Sequence, residues 1–258
     1  MVELLGLRFS PWSEKAHWAL QARRVPFEWR TFSPVLGEPA LRLKLGRWSG
    51  NVTVPVLTDD EGRAIGDSAE IARWADGRGE GPSMYPAGRE QEVERFVALS
   101  ERGLEAGRAV SLRRMLDHDA ALREMAPKPL RKALGPLSVS VGRFGIRRTL
   151  RKYGAGRGER ETHERAAVEV LEELRASLAK APATNGSGAR VKTLLGTFTF
   201  ADIAMAQVLV FVEPPKFGLR IGSATREAWR DEGLSGRFAD LLEWRDALYE
   251  AYRPRAPD

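Results

Sequence analysis

Hydrophobic periodicity changes once along this chain, near residue 77. Before that point short β-type runs alternate with helical patterns; beyond it every periodic segment is helical. Val2 to Arg8 reads as a strand, Trp12 to Arg24 as a helix entered through Ser10-Pro11, Phe27 to Phe32 as a second strand, and Glu38 to Leu45 as a short helix. Pro11 suits a first helical turn, where its missing N–H costs nothing. Val54 to Thr58 and Arg63 to Gly66, joined by the turn Asp59-Asp60-Glu61-Gly62, predict a hairpin, and Asp67-Ser68 caps a helix over Ala69 to Ala75. The order βαβαββα, two strands with a crossover followed by a hairpin, implies a compact mixed sheet within about 80 residues.

Gly77 to Gly88 concentrates glycine, proline and serine and reads as a linker. The expected organisation is therefore an α/β domain at 1–78, a linker at 79–89 and an all-α helical domain at 90–258. Helices are predicted over Gln91 to Leu116, Ala120 to Lys132, Gly142 to Tyr153, Glu161 to Ala181, Phe200 to Val212 and Ser235 to Tyr252. The glycine-rich Gly154 to Gly158 and the polar Ala183 to Arg190 read as connections. Thr199 and Asp202, three residues apart ahead of the most apolar run, read as a capping-box variant, a folding device.

Several classes of chemistry are excluded early. The 258 residues include no cysteine, which removes disulfides, thiolate-bound zinc and any protein thiol nucleophile. His17, His118 and His163 fit no metal-ligand spacing, so no metal is expected. The longest apolar run, Ile203 to Val212, is about half a bilayer span, and Glu3 precedes only a short apolar stretch, so a soluble cytoplasmic chain is expected. The net charge of +6 is concentrated: residues 108–152 hold 12 Lys and Arg against three Asp and Glu. Within that stretch Arg143, Arg147, Arg148, Arg151 and Lys152 recur at spacings of 3–4, which places several cations on one helical face, with Phe144, Ile146 and Leu150 beside them. A solvated face is the plain reading. Trp12, Trp48 and Trp74 read as packing residues.

Three elements of the α/β part converge if the sheet folds as predicted: Ser10 where the first strand turns into the first helix, Pro55 at the start of the third strand, and Asp67-Ser68 opening the last helix. The series Phe9-Ser10-Pro11-Trp12-Ser13, Val54-Pro55-Val56-Leu57, Gly66-Asp67-Ser68-Ala69-Glu70-Ile71, and Gly196 with Thr199-Phe200-Ala201-Asp202-Ile203-Ala204 resembles the cytosolic glutathione transferase family, in order and over nearly the whole chain.

The resemblance implies a thioredoxin-like amino-terminal domain, a helical carboxyl-terminal domain, glutathione as co-substrate, a homodimer and a role in detoxification. By the same resemblance Val54, ahead of a cis Pro55, pairs its backbone with the cysteinyl unit of glutathione as an added strand. Asp67 accepts the γ-glutamyl ammonium, and Ser68 with the helix start holds the γ-glutamyl carboxylate. Ser10 matches the serine of a Ser-Pro-aromatic turn that stabilises the thiolate, with Ser13 as second candidate; as an isolated signal Ser10 reads first as a plain N-cap, and it is Pro55 with Asp67-Ser68 that turns the reading toward the thiolate. No tyrosine lies in residues 1–77, which argues against tyrosine-type members, and the missing cysteine argues against thiol-transfer members. Gly50-Asn51-Val52-Thr53 lacks the Lys or Arg often found before the Val-Pro pair; Arg47 or Lys44 is the candidate substitute. The second substrate, a small hydrophobic electrophile, belongs between Trp12 and the first long helix of the helical domain. Two other readings stay open: a non-catalytic module of the same fold that binds apolar ligands or a partner protein, and an anion- or nucleic-acid-binding protein using residues 108–152. On the leading reading neither nucleic acid nor a membrane surface is an expected partner.

Overall fold

The computed structural model describes residues 1–33, 37–154, 160–183 and 191–255. β1 (Glu3–Gly6) runs parallel to β2 (Glu28–Thr31) and antiparallel to β3 (Val56–Thr58), which pairs antiparallel with β4 (Ala64–Gly66), giving the order β2-β1-β3-β4. This is the mixed sheet that the βαβαββα order implies, in the thioredoxin-like form that the resemblance implies. Alternation along the strands sorts two faces. The opposed pair Leu4 and Leu57 faces α1 (Pro11–Ala22) and α3 (Ser68–Arg78), while Leu5 and Val56 face α2 (Glu38–Leu45) through Leu41 and Val52.

The remainder is helical: α4 (Glu90–Met115), α5 (Asp119–Met125), α6 (Lys128–Leu134), α7 (Ser138–Lys152), α8 (Arg160–Lys180), α9 (Phe200–Val208), α10 (Ser223–Trp229), α11 (Glu232–Arg237) and α12 (Ala239–Tyr252). α9 is buried on every side, as its uninterrupted apolar run requires, and packs with α4, α1 and α12. One apolar core runs from Leu4 and Trp18 through Phe200 and Ile203 to Tyr249, so α1 lies between the sheet and the helical layer. The Trp18 indole N–H donates to the Tyr252 carbonyl at 3.0 Å. At the far end of the chain Arg253, itself buried, grips Glu14 at 2.6 Å and contacts the His17 ring nitrogen at 2.8 Å.

Several sequence expectations change. The single helix expected over Ala120 to Lys132 is two, α5 and α6, because Ala126 precedes Pro127 and takes extended backbone (φ −70°, ψ 139°). The helix expected over Ser235 to Tyr252 is interrupted at Phe238, where φ is −117° and ψ 32°. α10 had no sequence signal. Its start is capped from α5, whose Glu124 carboxylate accepts the amides of Ala224 (3.1 Å) and Thr225 (2.9 Å). The linker stretch is tied down by the buried Arg23, whose guanidinium donates to the carbonyls of Asp76 (3.0 Å), Gly79 (2.9 Å) and Pro82 (2.6 Å). Trp48 is 73% exposed and stands outside the core, unlike the half-buried Trp12 and Trp74, which pack against it. Beyond Gly154 and Ala183, the expected connections at 154–158 and 183–190 lie outside the described residues. No helix among the described residues is long and apolar enough to cross a membrane.

Candidate functional site

The register of the sheet brings the three motifs to one end. Leu5 stands opposite Val56, and Val56 opposite Gly66. Consequently the chain leaving β1 toward Ser10, the chain entering β3 through Val54-Pro55 and the chain leaving β4 into Asp67-Ser68 share the same edge of the sheet.

Ser10 follows a tight turn in which its amide donates to the Leu7 carbonyl at 3.0 Å, and its own carbonyl accepts from Glu14 at 2.9 Å as α1 begins. Its backbone is extended (φ −87°, ψ 125°), as expected at an N-cap, yet the hydroxyl makes no capping bond. Ser10 is half-buried, and its hydroxyl makes no hydrogen bond to the described residues. Ser13 differs: it is fully buried, and its hydroxyl oxygen accepts the Leu7 N–H at 3.1 Å, bracing the turn that carries Ser10.

The Val54–Pro55 peptide is cis. Among the described residues neither the N–H nor the C=O of Val54 has a hydrogen-bond partner, while its side chain packs with Val52 and Val56. Asp67 adopts φ 72°, a region that strains a non-glycine residue, and its Oδ1 accepts the Ala69 amide at 2.7 Å to cap α3. Ser68, the first residue of α3, is 1% exposed, and its hydroxyl oxygen is buried without a hydrogen-bond partner among the described residues. An orphan of this kind is uncommon, since buried hydroxyls are nearly always bonded. Together these segments offer an unused peptide edge, an unused buried hydroxyl at a helix start, an exposed carboxylate and a free hydroxyl, a set suited to an extended peptide with ionic ends.

The helical layer closes over this edge. The Lys152 ammonium at the end of α7 donates to the Val52 carbonyl at 2.8 Å, and the Asn51 side chain donates to the Lys152 carbonyl at 3.1 Å. Arg148, one turn earlier, pairs with Glu38 of α2 at 3.1 Å, and Arg42 reaches the same carboxylate at 2.9 Å. Burial, with Arg148 and Arg42 nearby and Glu38 opposing, lowers the Lys152 ammonium below its usual range. Of the substitutes expected from sequence, Lys44 is engaged with Glu3 at 2.8 Å. A cation that does reach the segment ahead of Val54-Pro55 is Lys152, which sequence reasoning did not connect with it because it lies about a hundred residues away; no contact of the Arg47 side chain places it there. Arg108 on α4 was missed for the same reason: its guanidinium lies 4.6 Å from the centroid of the Trp12 ring and 3.8 Å from that of the Tyr153 ring. The basic stretch is therefore partly consumed internally, with Arg143 also paired to Asp119 at 3.1 Å and Arg114 to Asp231 at 3.2 Å. Phe144 is 63% exposed, whereas Ile146 and Leu150 are buried. No group of three His, Cys, Asp or Glu side chains among the described residues is arranged to hold a metal.

Comparison with known proteins bears on the fold that carries these residues. Residues 9–78 match the model of the glutathione S-transferase N-terminal domain. A search of curated protein sequences finds no match. Among solved structures, a glutathione transferase from Phanerochaete chrysosporium superposes with a TM-score of 0.63 at 16% identity, over 99% of this chain and 98% of that one. A glutathione S-transferase from Methylobacillus flagellatus with glutathione bound gives 0.57 at 16%, over 97% and 95%. A delta-class glutathione transferase from Nilaparvata lugens gives 0.57 at 15%, over 98% and 90%. At such identities the likeness is one of fold.

Proposed function

We propose that this chain, whose residues 9–78 match the model of the glutathione S-transferase N-terminal domain, binds glutathione and activates its thiol for attack on a small hydrophobic electrophile. The observation that carries the reading is the buried, unpartnered Ser68 hydroxyl on the same sheet edge as the unpaired backbone of Val54.

In this reading the cysteinyl backbone of glutathione pairs with the N–H and C=O of Val54, extending the sheet by one strand. The γ-glutamyl carboxylate accepts a hydrogen bond from the Ser68 hydroxyl at the start of α3, where the helix dipole favours an anion, and Asp67 accepts from the ammonium. The Ser10 hydroxyl donates to the sulfur. A free thiol titrates near about 8.5, so only a few per cent is ionised at neutrality. One hydrogen bond to a charged acceptor contributes roughly 1.5–3 kcal/mol, and a drop of two pKa units requires about 2.7 kcal/mol. A single donor aimed at the thiolate and absent from the thiol's needs is therefore of the right size. The thiolate forms the new S–C bond, the leaving group departs from carbon, and the thiol proton goes to solvent.

Ser68 supplies the test. Ser68→Ala removes no hydrogen bond of the free protein, so its thermal midpoint stays at or above that of the parent, while glutathione affinity falls about 10- to 100-fold by calorimetry. A lowered midpoint with unchanged affinity assigns Ser68 to folding instead.

A further inference from the structure

Arg108 is a cation at this edge whose charge no acid neutralises directly. Among the described residues it makes no ion pair, and its Nε is buried without a hydrogen-bond acceptor. The nearest acids on α4 do not compensate it. Glu101 is held from α1, accepting the Trp12 indole N–H at 2.6 Å and pairing with the fully buried Lys15. Glu105 points to solvent. Burial works against the charge, lowering the guanidinium from its ordinary range, with Tyr153, Glu105 and Glu101 opposing. What keeps Arg108 in place is aromatic: its guanidinium is 4.6 Å from the Trp12 ring centroid and 3.8 Å from that of Tyr153. Those rings come from the first turn of α1, two residues past Ser10, and from the residue after α7.

A guanidinium flanked by two aromatic rings retains its planar fork of donors for a carboxylate, and that fork is rigid and always charged. The site thus pairs flat apolar surface with an unsatisfied bidentate donor. We propose that Arg108 is a specificity-determining residue that selects an electrophile carrying a carboxylate on a planar apolar body. The proposal rests on the glutathione reading above and sharpens it. Asp67 and Ser68 are allotted the γ-glutamyl end of glutathione, and Arg108 lies over the Trp12 ring, where the second substrate is expected; a loss of affinity for glutathione alone in Arg108→Met assigns the fork to the glycyl carboxylate instead and overturns the proposal. Transfer to an activated aryl chloride balances simply: the S–C bond forms, the C–Cl bond breaks with its electron pair on chloride, and the thiol proton goes to solvent.

The experiment compares 4-chloro-3,5-dinitrobenzoate with the corresponding neutral benzamide in the full chain and in Arg108→Met and Arg108→Lys. Loss of a charge-assisted bond predicts that Arg108→Met lowers kcat/KM for the benzoate about 10- to 100-fold and for the benzamide far less, with Arg108→Lys between. Equal losses on both substrates, or none on the benzoate, overturn the proposal. A second arm needs no turnover: calorimetry with the unreactive 3,5-dinitrobenzoate gives the same fold-loss of affinity in Arg108→Met, and unaltered affinity overturns the assignment. Glutathione binding measured alone separates the two ideas. If glutathione does not bind while dinitrobenzoate does so through Arg108, the glutathione reading fails and the anion site stands.

Discussion

Replacing Asp202 with alanine lowers the free energy of unfolding by about 3–5 kcal/mol, because each buried donor left without its acceptor costs roughly 1–3 kcal/mol. The carboxylate is fully buried and accepts the amides of Leu194 (2.8 Å) and Thr199 (2.8 Å) together with the Thr199 hydroxyl (3.1 Å). It thereby fixes the start of α9, the helix at the centre of the core. Against a typical stability of about 5–15 kcal/mol, a loss of that size is a large fraction of the whole. Urea denaturation checks it. Asp202→Asn, which keeps one acceptor oxygen, costs less. The difference between parent and Asp202→Asn also depends on pH. Burial pushes the Asp202 carboxyl up to about 6, so the native state holds a proton that the unfolded chain has released over the interval from about 4 to 6. That contribution is full below the unfolded value and fades as pH rises through about 6. The parent is therefore more stable relative to Asp202→Asn at pH 5 than at pH 7.5, by about 1–3 kcal/mol. A gap that widens toward alkaline pH contradicts this account.

Ser10→Ala lowers kcat/KM for chlorodinitrobenzene at pH 6.5 by about 10- to 100-fold, the equivalent of one hydrogen bond to a charged sulfur. The deficit shrinks as pH approaches the range where the thiol ionises unaided. Folding stability changes little, since the Ser10 hydroxyl makes no capping bond. Ser13→Ala gives the reverse pattern. It deprives the Leu7 amide of its acceptor and lowers stability by about 1–3 kcal/mol, while the pH profile of the thiol keeps its position. A rate loss in Ser13→Ala with a displaced profile, and none in Ser10→Ala, moves the thiolate donor to Ser13.

How legible these features are in sequence depends on how local their causes are. Strand and helix order is written in hydrophobic period, and Ser10-Pro11, Val54-Pro55 and Asp67-Ser68 each open an element, where short-range chemistry decides conformation. Ser10 and Ser13, by contrast, look alike in sequence; only the fold shows one hydroxyl braced under the Leu7 turn and the other free. The split between α5 and α6 was readable at Pro127, but apolar periodicity ran across it. α10 was not readable, because its cap is Glu124, about a hundred residues earlier. Lys152 and Arg108 belong to the same class. Each sits in an unremarkable amphipathic helix and becomes part of the site only when α7 and α4 close over the sheet edge. The charge excess of residues 108–152 likewise acquires meaning from its partners, Glu38, Asp119, Asp231, the Val52 carbonyl and two aromatic rings.

The central claim is that this sheet edge holds glutathione and that Ser10 stabilises its thiolate. Ultraviolet titration of the thiolate absorbance of glutathione bound to the protein tests it directly. The account predicts an apparent pKa well below the free value of about 8.5, returning toward that value in Ser10→Ala and unmoved in Ser13→Ala. A bound thiol that titrates like free glutathione, or a depressed value that survives Ser10→Ala, contradicts it.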